Sequence, residues 1–231
     1  MVERFRNLMC KDCLFKQPLF NILNPNELET LNQNRYEVRY KKGETIFKQG
    51  SALTHIACFT HGMAKIYIEG LNNRNLIIKI VKRGEMVGGP GMHTDFKHHF
   101  TVTTLTDTQV CLIDAETFQD VVKSNNKFAL AMMKKINTQG IKNFEKFINL
   151  TQKQMPGRIA DAIFYLSDFV HENDHFDVVI SRQDLADMTA MTKESAIRIL
   201  KEFKDAGLIS VEGNHFEILD KETLRKICRT G

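Results

Sequence analysis

Short segments of alternating apolar and polar residues dominate positions 37–114. Turn sequences such as 41–44 (KKGE) and 82–85 (KRGE) interrupt them. Short strands separated by turns at this spacing are typical of an antiparallel barrel or jelly roll. The predicted strands cover residues 38–40, 45–47, 58–59, 64–68, 76–81, 102–105 and 110–113.

Helical periodicity follows this region. Residues 116–122 predict a short helix, and residues 127–150 predict a long one without proline. Apolar residues recur on the long helix every three to five positions, which indicates a broad face that packs on its own domain and on a twin helix. A core helix of a single domain is the alternative interpretation. The candidate dimer residues are Met133, Ile136, Gly140, Phe144 and Phe147.

The most informative pattern lies between residues 181 and 220. Ser181 and Thr192 are candidate N-caps, Asp184 completes an approximate capping box, and Gly207 stands where a helix C′ residue is expected. Two helices joined by a three-residue turn, 189–191, form a helix-turn-helix. The apolar runs 208–211 and 215–218 flank a turn and predict a small hairpin, which makes the module a winged helix.

The second of these helices predicts contacts to DNA, because a major groove admits one helix and its leading turns reach the base edges. Arg198 can bond guanine in bidentate fashion, Glu194 can accept from cytosine N4, and Lys193 can reach guanine or phosphate. A solvated face with an internal Glu194–Arg198 pair is the alternative. Further candidate contacts are Thr192, Ser195, Arg182 and Gln183.

These patterns predict an α+β chain with three parts. An antiparallel β-jelly-roll barrel covers residues 1–126, a dimerisation helix covers 127–151, and a winged helix-turn-helix covers 152–231. The boundary near residue 152 rests on Pro156, which is tolerated only in a first helical turn, so that a new helix begins there.

Composition changes this picture little. The net charge is +4, but residues 181–206 contain five basic and five acidic residues, so specific geometry must contribute more to DNA binding than bulk charge.

The five cysteines are an odd number, which favours reduced thiols. No apolar run approaches the ~20 residues of a membrane helix, and the N-terminus does not resemble a signal peptide, so we expect a cytoplasmic protein without membrane contact.

Catalytic motifs are not found in the sequence. It lacks a Ser-His-Asp order, a P-loop and metal-ligand spacing, which argues against an enzyme with a regulatory barrel. A second alternative is a barrel-based binding module whose helix-turn-helix contacts only proteins.

The motifs together resemble one family. Residues 180–209 closely resemble the helix-turn-helix signature of the CRP/FNR family of bacterial regulators, and residues 42–50 (KGETIFKQG), 62–67 and 83–88 are similar to its barrel motifs. The resemblance covers nearly the whole chain. It implies a cyclic-nucleotide-binding-type barrel, a homodimer, a palindromic DNA site and RNA polymerase as a partner. Lys193, Glu194 and Arg198 fall on the family's three base-reading positions, the first being arginine in the cyclic-AMP-responsive branch.

The resemblance does not extend to a cyclic nucleotide site. That branch binds the ribose with a Gly-Glu pair and the cyclic phosphate with an Arg-Ser or Arg-Thr pair. The corresponding positions here are Gly88-Gly89 and, near the second pair, His98-His99. Histidine does not replace a bidentate guanidinium at neutral pH, so we expect that cyclic AMP is not the effector.

Two other cofactors stay open. The oxygen-sensing branch of the family holds an iron–sulfur cluster with four cysteines. Cys10-x-x-Cys13 and Cys111 resemble three of these ligands, the remaining position is Leu19, and Cys58 is a conceivable substitute. A haem sensor is the other possibility. Its candidate axial ligands are His55, His61, His93, His98 and His99.

Overall fold

The computed structural model describes residues 4, 5, 10, 13 and 17–231. Strands and helices follow each other in the predicted order. The strands are β1 (Arg4–Phe5), β2 (Arg35–Tyr40), β3 (Thr45–Phe47), β4 (His55–His61), β5 (Met63–Glu69), β6 (Asn75–Lys82), β7 (Met86–Val87), β8 (Thr101–Thr104), β9 (Thr108–Asp114), β10 (His175–Asp177), β11 (Ile209–Glu212) and β12 (His215–Ile218). The helices are α1 (Pro25–Gln33), α2 (Ala115–Ser124), α3 (Asn126–Gln152), α4 (Met155–Tyr165), α5 (Arg182–Thr189), α6 (Lys193–Asp205) and α7 (Lys221–Thr230).

Two antiparallel sheets form the predicted jelly-roll region. One has the strand order β1-β2-β9-β4-β7 and the other has the order β3-β8-β5-β6. Apolar side chains from both sheets share one core, which includes Phe47, Phe59, Ile66 and Val102. The alternation along the chain therefore has a simple cause, since one face of each strand points into this core.

The five-stranded sheet is buried on both faces. Val110 and Leu112 of β9 point into the core between the sheets, whereas Cys111 and Ile113 point to a second core. This second core also contains side chains of α1, α2 and the start of α3. β9 is a nearly continuous apolar run because both of its faces are covered.

Helix α1 was not among the sequence predictions, although its start signals are present. The Asn24 side chain accepts from the Glu27 backbone N–H at 3.0 Å, and Glu27 accepts in return from the Asn24 backbone N–H at 2.8 Å. Pro25 occupies the first turn, where proline is tolerated. Helix α7, which begins after the N-cap Asp220, was also not predicted.

The predicted long helix is confirmed as α3 and has two unlike faces. Phe128 and Met132 are buried in the second core. Large apolar side chains on the rest of the helix are exposed to solvent. They are Leu130, Met133, Ile136, Ile141, Phe144, Phe147 and Ile148. At about 100° per residue, these seven side chains fall within a single arc on the side away from Phe128 and Met132, and we call this arc the α3 stripe.

The chain divides into two compact units. One comprises residues 1–69 and 78–139, and the other comprises residues 70–77 and 140–231. One of the divisions falls within α3, between Gln139 and Gly140. The second unit contains α4, which continues as a π-helical turn over Leu166–His171, followed by the remaining helices and a three-stranded sheet of order β10-β12-β11.

Pro156 lies in the first turn of α4, as predicted. Within the described part of the chain, none of the helices is long and apolar enough to cross a bilayer.

Candidate nucleic-acid interface and effector pocket

Side-chain caps define both helices of the helix-turn-helix. The Ser181 hydroxyl accepts from the Asp184 backbone N–H at 3.0 Å, and the Asp184 carboxylate accepts from the Ser181 backbone N–H at 2.8 Å. At the start of α6, the Thr192 hydroxyl accepts from the Ser195 backbone N–H at 3.2 Å. Both predicted N-caps are thus confirmed. The turn covers residues 190–192, one residue later than predicted, because Thr189 remains helical.

Packing fixes which face of α6 is free. Ala196, Ile199, Leu200 and Phe203 are buried, as predicted, and the helix packs against α4 and α5. Gly207 follows α6 with φ +70°, the left-handed conformation predicted for a C′ residue. The burial of this apolar face fixes the orientation of α6. The opposite face of the helix is therefore exposed to solvent.

The three predicted base-reading residues lie together on the exposed side of α6. Lys193, Glu194 and Arg198 are all exposed and belong to its first two turns. Positions 194 and 198 are one turn apart, so both side chains project from the same face. None of the residues that the structure describes buries these three side chains.

Arg198 has a partner in the free protein. Its Nη1 atom donates to Glu202 Oε1 at 2.7 Å, one turn further along α6. The sequence had suggested Glu194 as the internal partner, but the structure pairs Arg198 with Glu202. Both side chains are more than half exposed, so the pair contributes little to stability and is readily exchanged for another acceptor.

The remaining predicted contacts lie at the starts of α5 and α6. Arg182 and Gln183 open α5, and the Gln183 amide donates to Asp187 at 2.8 Å. The Ser195 hydroxyl is hydrogen-bonded to the Thr192 hydroxyl at 3.1 Å, which ties it to the cap. The predicted hairpin is confirmed as β11 and β12, and the sequence did not reveal the third strand, β10.

The barrel positions that the resemblance assigns to a cyclic nucleotide site include a buried histidine. His98 is only 2% exposed, and its ring stacks on Phe47 with 4.2 Å between centroids. Burial lowers the pKa of the His98 imidazole, and His99 lowers it further, so His98 offers no positive charge to a phosphate at neutral pH. No described residue forms a hydrogen bond with His98 Nδ1.

The neighbouring groups add an unfavourable charge. His99 Nε2 lies 3.0 Å from Asp95 Oδ1, and this hydrogen bond lowers the pKa of Asp95, which is therefore ionised at neutral pH. Gly89 has φ +131°, a conformation that side-chain-bearing residues rarely adopt, so a glutamate would be strained there. The positions that the resemblance assigns to the ribose and phosphate ligands are thus occupied here by Gly89, His98 and His99.

Four of the five cysteines meet at a different place in the barrel. Cys10, Cys13, Cys58 and Cys111 line one pocket on the helix-covered face of the five-stranded sheet. Cys58 of β4 and Cys111 of β9 are directly opposite each other in the antiparallel register. We call this site the cysteine pocket. Its lining includes none of the five candidate haem histidines.

The pocket also contains one buried cation. Arg35 Nη1 lies 3.4 Å from Cys111 Sγ and 3.1 Å from Glu37 Oε1. Burial raises the pKa of Cys111 to about 12 although Arg35 opposes the shift, and burial also raises the pKa values of Cys58 and Cys10. In the protein without a cofactor these three cysteines are therefore protonated thiols.

The number and arrangement of the thiols bear on which metal group this pocket could bind. Among the described residues, no three Cys, His, Asp or Glu side chains converge as they would on a single metal ion. Iron–sulfur clusters are bound by four cysteine thiolates, and four cysteines line this pocket. The predicted weak ligands Cys10, Cys13 and Cys111 do lie together, and Cys58 completes a set of four.

Comparison with known proteins gives a consistent result. Residues 37–125 match the cyclic nucleotide-binding domain, and residues 157–227 match the Crp-like helix-turn-helix domain. The chain is 25% identical over 229 residues to the fumarate and nitrate reduction regulatory protein of Escherichia coli K12, with 95% of this chain and 90% of that protein covered.

Solved structures share the fold. FixK2 from Bradyrhizobium japonicum has a TM-score of 0.76 at 16% identity, covering 84% of this chain and 96% of that one. The c-di-GMP responsive regulator CLP of Xanthomonas campestris has a TM-score of 0.71 at 20% identity, covering 84% and 99%.

The two matched domains define a helix-turn-helix transcription regulator with a sensory domain of the cyclic nucleotide-binding type. The chain belongs to the CRP/FNR family, whose members are transcription regulators and not enzymes.

From the geometry around His98 we predict that cyclic AMP does not bind with physiological affinity. The uncharged imidazole gives the cyclic phosphate no ion pair, and the Asp95 carboxylate lies nearby. Isothermal titration calorimetry of the purified protein should show no saturable heat at low-micromolar cyclic AMP. Saturable binding in that range would overturn the prediction.

Proposed function

We propose that this protein is a homodimeric, sequence-specific DNA-binding transcription regulator that acts in the cytoplasm on a palindromic site. The observation that supports this most directly is the exposure of Lys193, Glu194 and Arg198 on the leading turns of a helix buried on its other side. Such a helix presents two or three polar side chains to base edges in the major groove. Contact with RNA polymerase, which the family resemblance implies, stays a prediction.

Arg198 is the side chain best suited to read guanine, because its planar fork matches the O6 and N7 acceptors. Arg198→Ala should weaken binding to the selected DNA site by ~1–3 kcal/mol, with the dimer intact. The measurement is a gel shift or anisotropy titration on a palindrome obtained by selection from random DNA. Arg74→Ala removes an exposed positive charge elsewhere and is the matched control.

Equal affinity of wild type and Arg198→Ala for that palindrome would contradict the base-reading role. Failure to select any site would contradict the proposed function itself and favour a helix-turn-helix that contacts only proteins.

The homodimer is supported by the α3 stripe. A monomer would leave seven large apolar side chains of one helix in contact with water, and such a patch is typical of a protein–protein interface. A second copy of α3 covers the stripe with like chemistry, as two-fold dimers do. The predicted dimer residues Met133, Ile136, Phe144 and Phe147 are exposed members of it. At Gly140, an added Cβ would meet no atom of the described residues within 4 Å.

Phe144→Glu tests the dimer. Phe144 is 67% exposed in the single chain, so the substitution leaves the monomer fold intact, but it places an unpaired charge in the proposed interface. Analytical ultracentrifugation should show a dimer for wild type and a monomer for Phe144→Glu at the same concentration. Leu71→Glu, on an apolar residue outside α3 that is 87% exposed, is the control. An unchanged dimer in Phe144→Glu would refute the interface.

A second candidate, a redox-sensing role, is favoured by the cysteine pocket. Fumarate and nitrate reduction regulatory proteins are among the similar proteins, and four thiols line one pocket here, which is the number that an iron–sulfur cluster takes as ligands. Cys10, Cys13, Cys58 and Cys111 would hold an iron–sulfur cluster, which supplies a group that responds to oxidants. Arg35 would offset part of the negative charge of the thiolates, since it already lies beside Cys111.

Protein purified without air tests this role. Iron, acid-labile sulfide and broad visible absorption should accompany wild type and Cys228→Ser, whose cysteine lies near Lys153 and Asp161 outside the pocket. Cys58→Ser and Cys111→Ser should lose all three signals while retaining their circular dichroism spectra. A protein that stays colourless and iron-free after anaerobic reconstitution would show that the four thiols serve only packing.

A further inference from the structure

One apolar side chain on α6 does not follow the burial pattern of the helix. Ala196, Ile199, Leu200 and Phe203 are buried to at least 94%, whereas Ile197 is 45% exposed. Its neighbours on the same side are charged residues that need water or a polar partner. An isoleucine cannot form hydrogen bonds, and its branched side chain is held in few rotamers, so it presents a stiff apolar surface to solvent.

The position of Ile197 places this surface among the base-reading residues. It lies three residues after Glu194 and four after Lys193, and both spacings bring side chains to one face of a helix. At about 100° per residue, Ile197 falls between Lys193 and Arg198 around the circumference of α6. A groove that receives those two side chains also receives Ile197.

The edges of the base pairs offer one apolar feature to such a side chain. In the major groove, the bases present hydrogen-bond donors and acceptors, except for the C5-methyl group of thymine. Against any other base edge, Ile197 would desolvate a polar group without replacing its hydrogen bond, which is unfavourable.

We propose that Ile197 is a specificity-determining residue that packs against the C5-methyl group of a thymine in each half-site. The proposal rests on the proposed function and adds a base preference to it. The charged residues on either side select hydrogen-bonding edges, and Ile197 selects thymine at a base pair between the ones that they read.

The test removes the methyl group from the DNA and the side chain from the protein. Each thymine of the selected half-site is replaced in turn by deoxyuridine, which differs only by that methyl group. Wild-type protein should bind one of these DNAs about fourfold more weakly, the effect of one buried methyl group. Ile197→Ala should bind the thymine and deoxyuridine forms equally, so that the two changes are not additive.

Two further variants serve as controls. Ile68→Ala truncates a similarly exposed isoleucine in the barrel and should keep the full deoxyuridine effect. Ile197→Val retains a branched apolar side chain and should keep most of it. Ultracentrifugation and circular dichroism verify that each variant is a folded dimer.

The outcomes of this experiment distinguish a failure of the role of Ile197 from a failure of the proposed DNA-binding function. Tight binding to a selected site that contains no thymine, or that is insensitive to deoxyuridine at every position, overturns the role of Ile197 and leaves the DNA-binding function intact. An equal deoxyuridine effect in Ile197→Ala does the same. Failure to select any DNA overturns both.

Discussion

Three phenylalanine rings fix the start of the longest helix, and much of the molecule depends on this contact. Phe128 of α3 lies 5.7 Å from Phe118 of α2 and 6.2 Å from Phe20, measured between ring centroids. Phe118 and Phe128 are completely buried. Tilted and edge-on ring pairs of this kind are favourable beyond the apolar area that they bury. Because this contact holds one side of the start of α3, the stripe residues of the same unit, Leu130, Met133 and Ile136, are exposed on the other side of the helix.

Much of this architecture was predictable because it follows from local rules. The alternation of apolar and polar residues predicted the barrel strands. The helical periodicity of apolar residues, without an intervening proline, predicted α3. Caps gave the helix-turn-helix, since Ser181, Thr192 and Gly207 act only on their immediate neighbours in the chain. Helix α1 follows from the same rules, because Asn24, Pro25 and Glu27 provide its start signals.

Features that depend on contacts distant in sequence could not be predicted in this way. Cys58 and Cys111 are placed opposite each other by the register of β4 on β9, which the spacing between them does not encode. Strand β10 pairs with β12 across about 40 residues, and its three residues carry too weak a pattern to be recognised. The choice of Glu202 over Glu194 as the partner of Arg198 depends on side-chain rotamers, because both acids lie one turn away.

The charge balance of the helix-turn-helix has a consequence for how such a protein would search a genome. Several of its acids are engaged within the module, as Asp184 is at its cap and Glu202 is with Arg198. Their negative charges nevertheless remain near the helix face and repel the phosphates of DNA. Attraction between basic residues and these phosphates supplies nearly all of the non-specific affinity of a protein for DNA. A regulator of this composition would spend little time sliding along arbitrary duplex. The chromosome would sequester few of its copies, and occupancy of its operator would respond almost directly to the number of molecules in the cell.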